Sequence, residues 1–211
     1  MKPSNIVLMG LALVFVLGLV LTAMVYSQLP ETVPTHWNYK GEADGFGRRA
    51  TVWIVPVMQF PMAALFIGLS FGIGKSEREK TSFLLLGILF SVFMLVLQCL
   101  ILASCLNYKI DMSRWIGVAM CLIFMGLGFV MKDLPRNGLA GIRTPWSMAS
   151  DEAWKITHRR AAWIIAIGSA IGLVISLVGY GMAGIFVSVA FLLYTCVDSY
   201  FATRQIRCKS Q

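Results

Sequence analysis

Two polar stretches, residues 27–50 (SQLPETVPTHWNYKGEADGFGRRA) and 132–160 (KDLPRNGLAGIRTPWSMASDEAWKITHRR), hold most of the side chains that could do chemistry. In the first, Pro34, His36, Trp37 and Asn38 are followed by Gly41, Asp44 and Gly45. His36 is a titratable ring, and Trp37 is an amphipathic aromatic of the kind that sits at a membrane–water interface. Glu31, Glu42 and Asp44 stand near the histidine and raise the question of a metal. A structural zinc site wants four ligands at characteristic spacing, which one histidine with scattered carboxylates does not supply. No metal and no cofactor is expected. Two readings stay open for this stretch. Trp37, Tyr39 and Phe46 could anchor it among lipid headgroups, or it could form a recognition surface for an amphipathic ligand. Pro30, Pro34, Gly41, Gly45 and Gly47 interrupt regular structure, so a structured loop or short extended segment is expected.

In the second stretch, Asn137, Gly141, Arg143, Thr144, Pro145 and Trp146 precede Ser150-Asp151-Glu152. Ser150 is a natural helix N-cap, and the two acids favour the positive end of a starting helix. From there Trp154 and His158 share one helical face, while Asp151, Lys155 and Arg159 share another and can pair. This helix is expected to run on into the fifth apolar segment. Pro145 pushes its predecessor towards extended geometry, which keeps Arg143-Thr144 out of a helix interior. One reading is a membrane-surface helix held by Trp146 and Trp154, with Arg143 and Arg160 on lipid phosphates. The other is a docking site for a second protein.

The elements that position these stretches follow from composition. The chain has 58% hydrophobic and 13% charged residues, with a mean hydropathy of +0.76, which excludes a soluble enzyme and a disordered chain. Six apolar runs are long enough to span a bilayer: 6–26, 51–73, 82–106, 114–131, 161–179 and 183–203. The predicted fold class is all-α, a polytopic membrane bundle of six transmembrane helices. If the N-terminus is cytoplasmic, 13 of the 18 basic residues fall on the inner side, so both termini are expected inside. That count includes Arg204, Arg207 and Lys209 of the C-terminal tail. The net charge of +8 is then topology and attraction to anionic membrane lipid, with no direct nucleic-acid binding. The expected organisation is a two-helix unit, 1–73, a helical hairpin, 74–131, and a final unit, 132–211.

Smaller signals refine this picture. Pro56 and Pro61 should bend the second helix. Gly168 and Gly172 form a GxxxG, read chiefly as packing within the chain, with homo-oligomerisation left open. Cys99, Cys105, Cys121, Cys196 and Cys208 show no paired arrangement and are expected as free thiols. Asp198 is the sole acid within a span, and Arg204 and Arg207 nearby suggest a structural ion pair. No nucleophile, metalloprotease or phosphate-loop motif occurs, and His36 and His158 fall on opposite membrane faces. No enzymatic activity is expected.

The motifs resemble those of the SdpI family of bacterial membrane immunity proteins. Residues 29–47, LPETVPTHWNYKGEADGFG, are similar to the P-x-H-W-N-x-x-G core and DG-x-G end of the domain of unknown function that accompanies this family's first helix. Residues 137–159, NGLAGIRTPWSMASDEAWKITHR, resemble the family's G-I-R-T-P-W-T stretch and following W-x-x-x-H, with Ser147 where threonine is usual. The resemblance implies a multi-pass cell-membrane protein giving immunity to a secreted, membrane-active peptide toxin. It also implies a cytoplasmic repressor as a partner in signal relay. On that basis Pro34, His36, Trp37, Asn38, Gly41, Asp44 and Gly45 are candidates for toxin contact outside. Asn137, Gly141, Arg143, Thr144, Pro145, Trp146, Trp154 and His158 are candidates for partner binding or structure inside. The alternative function is a small-solute transporter or exporter, drawn from the proline-bearing second helix, the glycine-rich spans and Asp198.

Overall fold

A computed structural model describes residues 2–72, 74–204 and 206. Ile73 at the end of the second apolar run, and Arg207, Cys208 and Lys209 of the tail, lie outside the described residues. The helices are α1 (Pro3–Tyr26), α2 (Ile54–Gly72), α3 (Glu77–Cys105), α4 (Met112–Met131), α5 (Asp151–Leu177) and α6 (Gly181–Ala202). All six, counting α2 with the short 3₁₀ helix Arg49–Trp53 before it, are long and apolar enough to cross a membrane. The fold is therefore a mostly helical six-span bundle. Leu13, Phe60, Val174 and Phe186 are 62–68% exposed, a surface suited to hydrocarbon and costly in water.

Local chemistry sets the helix starts. Ser76 accepts a hydrogen bond from the Glu79 amide, and the Glu79 side chain reaches back in a reciprocal capping box at α3. Ser150 accepts from the Ala153 amide at 3.0 Å, and α5 runs unbroken from there for 27 residues, as expected. Pro56 falls in the first turn of α2, where a proline is well tolerated, and only Pro61 lies inside the helix.

The first polar stretch is more regular than expected. Strand β1 (Thr32–Trp37) pairs antiparallel with β2 (Ala43–Arg48), so the bundle carries a β-hairpin between α1 and α2. In a two-stranded sheet both strands are edges, so Pro34 can sit in one without costing an interior ladder bond. The register is irregular, running Pro34 opposite Phe46, His36 opposite Gly45 and Trp37 opposite Ala43. Thr35 and Asp44 are thereby stepped over.

α3 packs on α1 and α2, α5 packs on α4 and α6, and contact between α3 and α4 joins the two groups. α5 and α6 meet closely at small residues. A β-carbon at Gly172 would overlap the Gly184 carbonyl oxygen, and one at Gly168 would overlap the Phe191 side chain. The GxxxG thus serves packing within the chain. Cys99, Cys105, Cys121 and Cys196 are free thiols.

Candidate functional site

Ion pairs and hydrogen bonds sort the polar segments to the two ends of the bundle. At one end Lys2 approaches Glu77 at 3.9 Å, and Arg78 binds Asp133 at 3.1 Å, so the starts of α1 and α3 meet the segment after α4. At the other end the Ser113 hydroxyl, at the start of α4, donates to the Tyr39 carbonyl at 3.1 Å. His36 and His158 therefore lie at opposite ends.

The hairpin stands on a buried foot. Val33 is fully buried with Leu29, Val52, Leu102 and Cys105, which fastens β1 to α3. The Arg49 guanidinium lies 4.9 Å from the centre of the Tyr26 ring and donates to the Leu29 carbonyl at 3.3 Å. Asn38 builds the turn: its Oδ1 accepts from the Lys40 and Glu42 amides, and its Nδ2 donates to Glu42 at 2.9 Å. Gly41, with φ +83°, sits in that turn against Ser113. Strand irregularity re-aims side chains, and here His36 Nδ1 lies 2.5 Å from Asp44 Oδ1, both groups exposed. Gly45 packs beneath His36, where a β-carbon would come within 2.8 Å of the histidine Cβ. Pro34 and Trp37 flank a shallow groove completed by Val52, Ile54, Val55 and Ile101. All seven outer candidates are thus gathered on one hairpin. The surface combines an imidazole–carboxylate pair with an aromatic-edged apolar groove, which suits an amphipathic ligand.

The segment between α4 and α5 is knotted against the bundle. Asn137 Oδ1 accepts from the Leu139 and Ala140 amides while its Nδ2 donates to the Pro135 and Ala140 carbonyls. Fully buried His158 accepts from the Ile142 amide through Nε2 at 3.0 Å and contacts the Trp154 carbonyl through Nδ1 at 2.9 Å. Those two contacts assign the proton to Nδ1. The His158 ring stacks on Trp154 with centroids 3.9 Å apart, and Trp154 Nε1 donates to the Leu134 carbonyl at 2.7 Å. Buried Ser147 donates to the Ile142 carbonyl at 2.6 Å, and its oxygen accepts from the Thr144 amide. Thr144 and Trp146 both reach Ser199 of α6, at 3.0 and 2.6 Å, and Trp146 packs edge-on against Tyr200.

This geometry corrects several expectations. Trp154 lies inside the protein and does not hold a helix to the membrane surface. Trp146 is half-buried on α6, so of these eight candidates Gly141, Arg143 and Pro145 are exposed and the rest are buried or half-buried. Asp151 pairs with Arg136 at 2.7 Å, across the turn, in place of Lys155 or Arg159 on its own helix. Asp198 pairs with Arg160 of α5, through bonds of 2.6 and 2.9 Å, and not with Arg204; Arg207 lies outside the described residues.

Comparison with known proteins agrees with this layout. The family model named Domain of unknown function (DUF1648) matches residues 13–60, which carry the second half of α1, the hairpin and the start of α2. The model of the SdpI/YfhL protein family matches residues 133–197, which carry the knotted segment, α5 and most of α6. The Immunity protein SdpI of Bacillus subtilis is 25% identical over 167 residues, covering 79% of this chain and 78% of the relative. The chain belongs to the SdpI/YfhL family. As an SdpI/YfhL protein with six spans, it is a multi-pass protein of the bacterial cell membrane. An uncharacterized protein of Archaeoglobus fulgidus is 54% identical over 35 residues, 17% of this chain and 19% of that one. No solved structure matches the chain.

Sequence reasoning missed two features of this SdpI/YfhL chain. Ser199 is the α6 anchor for the segment between α4 and α5, and nothing about a lone serine in an apolar run announces it. Gln98 of α3 donates to Thr22 of α1 at 2.9 Å and to the Val52 carbonyl at 3.0 Å, clamping the hairpin's foot to two helices. Its signal was present, as the one strongly polar side chain inside the third apolar run.

Proposed function

We propose that this SdpI/YfhL protein confers immunity to a membrane-active peptide toxin by binding it at the exposed hairpin, without enzymatic chemistry. The observation that carries the reading is the His36–Asp44 pair on a rigid foot beside an aromatic-edged groove. The likeness to a protein named Immunity protein SdpI, over most of both chains, supports it. The orientation that goes with it puts both termini in the cytoplasm and the hairpin outside, from the excess of basic residues at the opposite end. Relay to a cytoplasmic repressor is the finer part of the proposal. Its contact would be Arg143, which is exposed and makes no hydrogen bond or ion pair among the described residues. The acid that a transporter would need is already held by Arg160, which weighs against solute transport.

Orientation is checked by cysteine labelling in whole cells. Lys40→Cys, at the hairpin turn, should react with a membrane-impermeant thiol reagent, and Ala149→Cys, on the opposite end, should not. The reverse pattern would invert the topology. Ala149 is the suitable inner probe because it is exposed.

Function is checked by survival under a membrane-active peptide toxin, read together with recruitment of a repressor to the membrane. His36→Ala and Asp44→Ala should each cut protection about tenfold or more at unchanged protein level, since a charge-assisted bond is worth about 1.5–3 kcal/mol. Arg143→Ala should keep protection and lose recruitment. Full protection by both hairpin variants would reduce the hairpin to a membrane anchor.

A further inference from the structure

A cleft between the C-terminal end of α4 and the middle of α5 opens at the basic end of the bundle. Lys132, Asp133, Arg159 and Arg160 line its polar part, and Phe129, Trp163 and Ala166 line its apolar part. The two parts are arranged along the helix axes. Arg159, Trp163 and Ala166 follow one another on a single face of α5, and Phe129 lies one turn before Lys132 on α4. Moving along the cleft, cations therefore give way to aromatic and aliphatic surface. Trp163 is 71% exposed among the described residues. An adjoining depression adds Arg78, Glu79, Arg136, Asp151 and Lys155, so the whole region sets six cations against three carboxylates.

The cations differ in how far they are already engaged. Arg160 is held by Asp198 through two bonds, and Lys132 lies 3.9 Å from Asp133. Arg159 is exposed and makes no hydrogen bond or ion pair among the described residues. A guanidinium left free at the mouth of such a cleft suits a phosphate, which it can bind through paired N–H donors. The apolar continuation requires a ligand that carries hydrocarbon below its phosphate. Basic pockets between membrane helices bind acidic lipid headgroups on this principle.

We propose that this cleft is a binding site for an anionic phospholipid, with the phosphate between Lys132 and Arg159 and an acyl chain along Phe129, Trp163 and Ala166. The site is independent of the hairpin and of the immunity reading.

The test uses the full-length protein, delipidated in neutral detergent, with lipid retention followed by native mass spectrometry and thermal shift. Phosphatidylglycerol should bind saturably and raise the melting temperature, phosphatidylcholine should do so much less, and inorganic phosphate should not reproduce the shift. Lys132→Gln with Arg159→Gln should weaken phosphatidylglycerol binding about thirtyfold, from about fivefold per cation near a membrane surface. Arg159→Gln alone removes a side chain with no hydrogen-bond or ion-pair partner among the described residues, and should weaken binding about fivefold at an unchanged lipid-free melting temperature. Trp163→Ala should also weaken retention. Equal binding of the two lipids, an unaffected Arg159→Gln protein, or an equal shift with phosphate alone would each overturn the proposal.

Discussion

Arg160→Met is expected to destabilise the folded protein by about 3–5 kcal/mol, the range for stranding one partner of a buried ion pair. Asp198→Asn should cost distinctly less. The asymmetry comes from burial: the Asp198 side chain is 7% exposed and the Arg160 side chain 54%. Without Arg160, the buried carboxylate loses both of its charge-assisted bonds and is left unpaired in an apolar surrounding, which is costly. Without the carboxylate, the longer arginine can swing its head towards water and leave its stem against the helix. Unfolding of detergent-solubilised variants by heat or denaturant measures both. The double variant Arg160→Met/Asp198→Leu should recover much of the loss, because an apolar pair leaves no buried charge. Equal small losses for the two single variants would show the pair to be a surface contact only.

Gly141→Ala should be comparably damaging, by about 3–5 kcal/mol, as the sum of backbone strain and overpacking. Gly141 has φ +120°, which side chains rarely adopt. A β-carbon there would lie 2.5 Å from His158 Nε2 and 2.7 Å from the Trp154 ring. It would push the histidine away from the Ile142 amide and leave that buried donor unpaired. Gly138, three residues earlier, has open space where a β-carbon would go, so Gly138→Ala is the matched control and should be near neutral. Melting temperature in detergent separates them. Similar values for both would mean that the segment is not locked by His158.

What could be read from the residues was what repeats locally or caps locally. The six apolar runs predicted six helices, Ser150 marked the start of α5, and the four-residue spacing of Trp154 and His158 put them on one face. The hairpin was harder, because β2 is ADGFGR, with two glycines and no apolar alternation. Its pairing rests on Val33 buried against α3, a contact that no local pattern encodes. The ion pair was misassigned for a related reason. Arg204 is near Asp198 in sequence, whereas Arg160, 38 residues away, is near it in space. The candidate residues between α4 and α5 do lie together in space, but type and spacing cannot separate a tryptophan that docks a partner from one that holds its own loop. Burial of Trp154 and His158 made that distinction.

The length of α3 has a mechanical consequence. Its 29 residues make a rod about 44 Å long, of which the apolar part, 82–105, is about 36 Å against a hydrocarbon core of about 30 Å. One end carries the hairpin through Leu102 and Cys105, and the other reaches Lys2 and Asp133 through Glu77 and Arg78. A helix longer than its bilayer tilts, and the tilt increases as the bilayer thins. Both polar ends are fastened to the same rod, so thinning would draw the hairpin and the basic rim towards the two headgroup layers together. Membrane thickness thereby becomes a variable that sets how far the hairpin stands clear of the lipid.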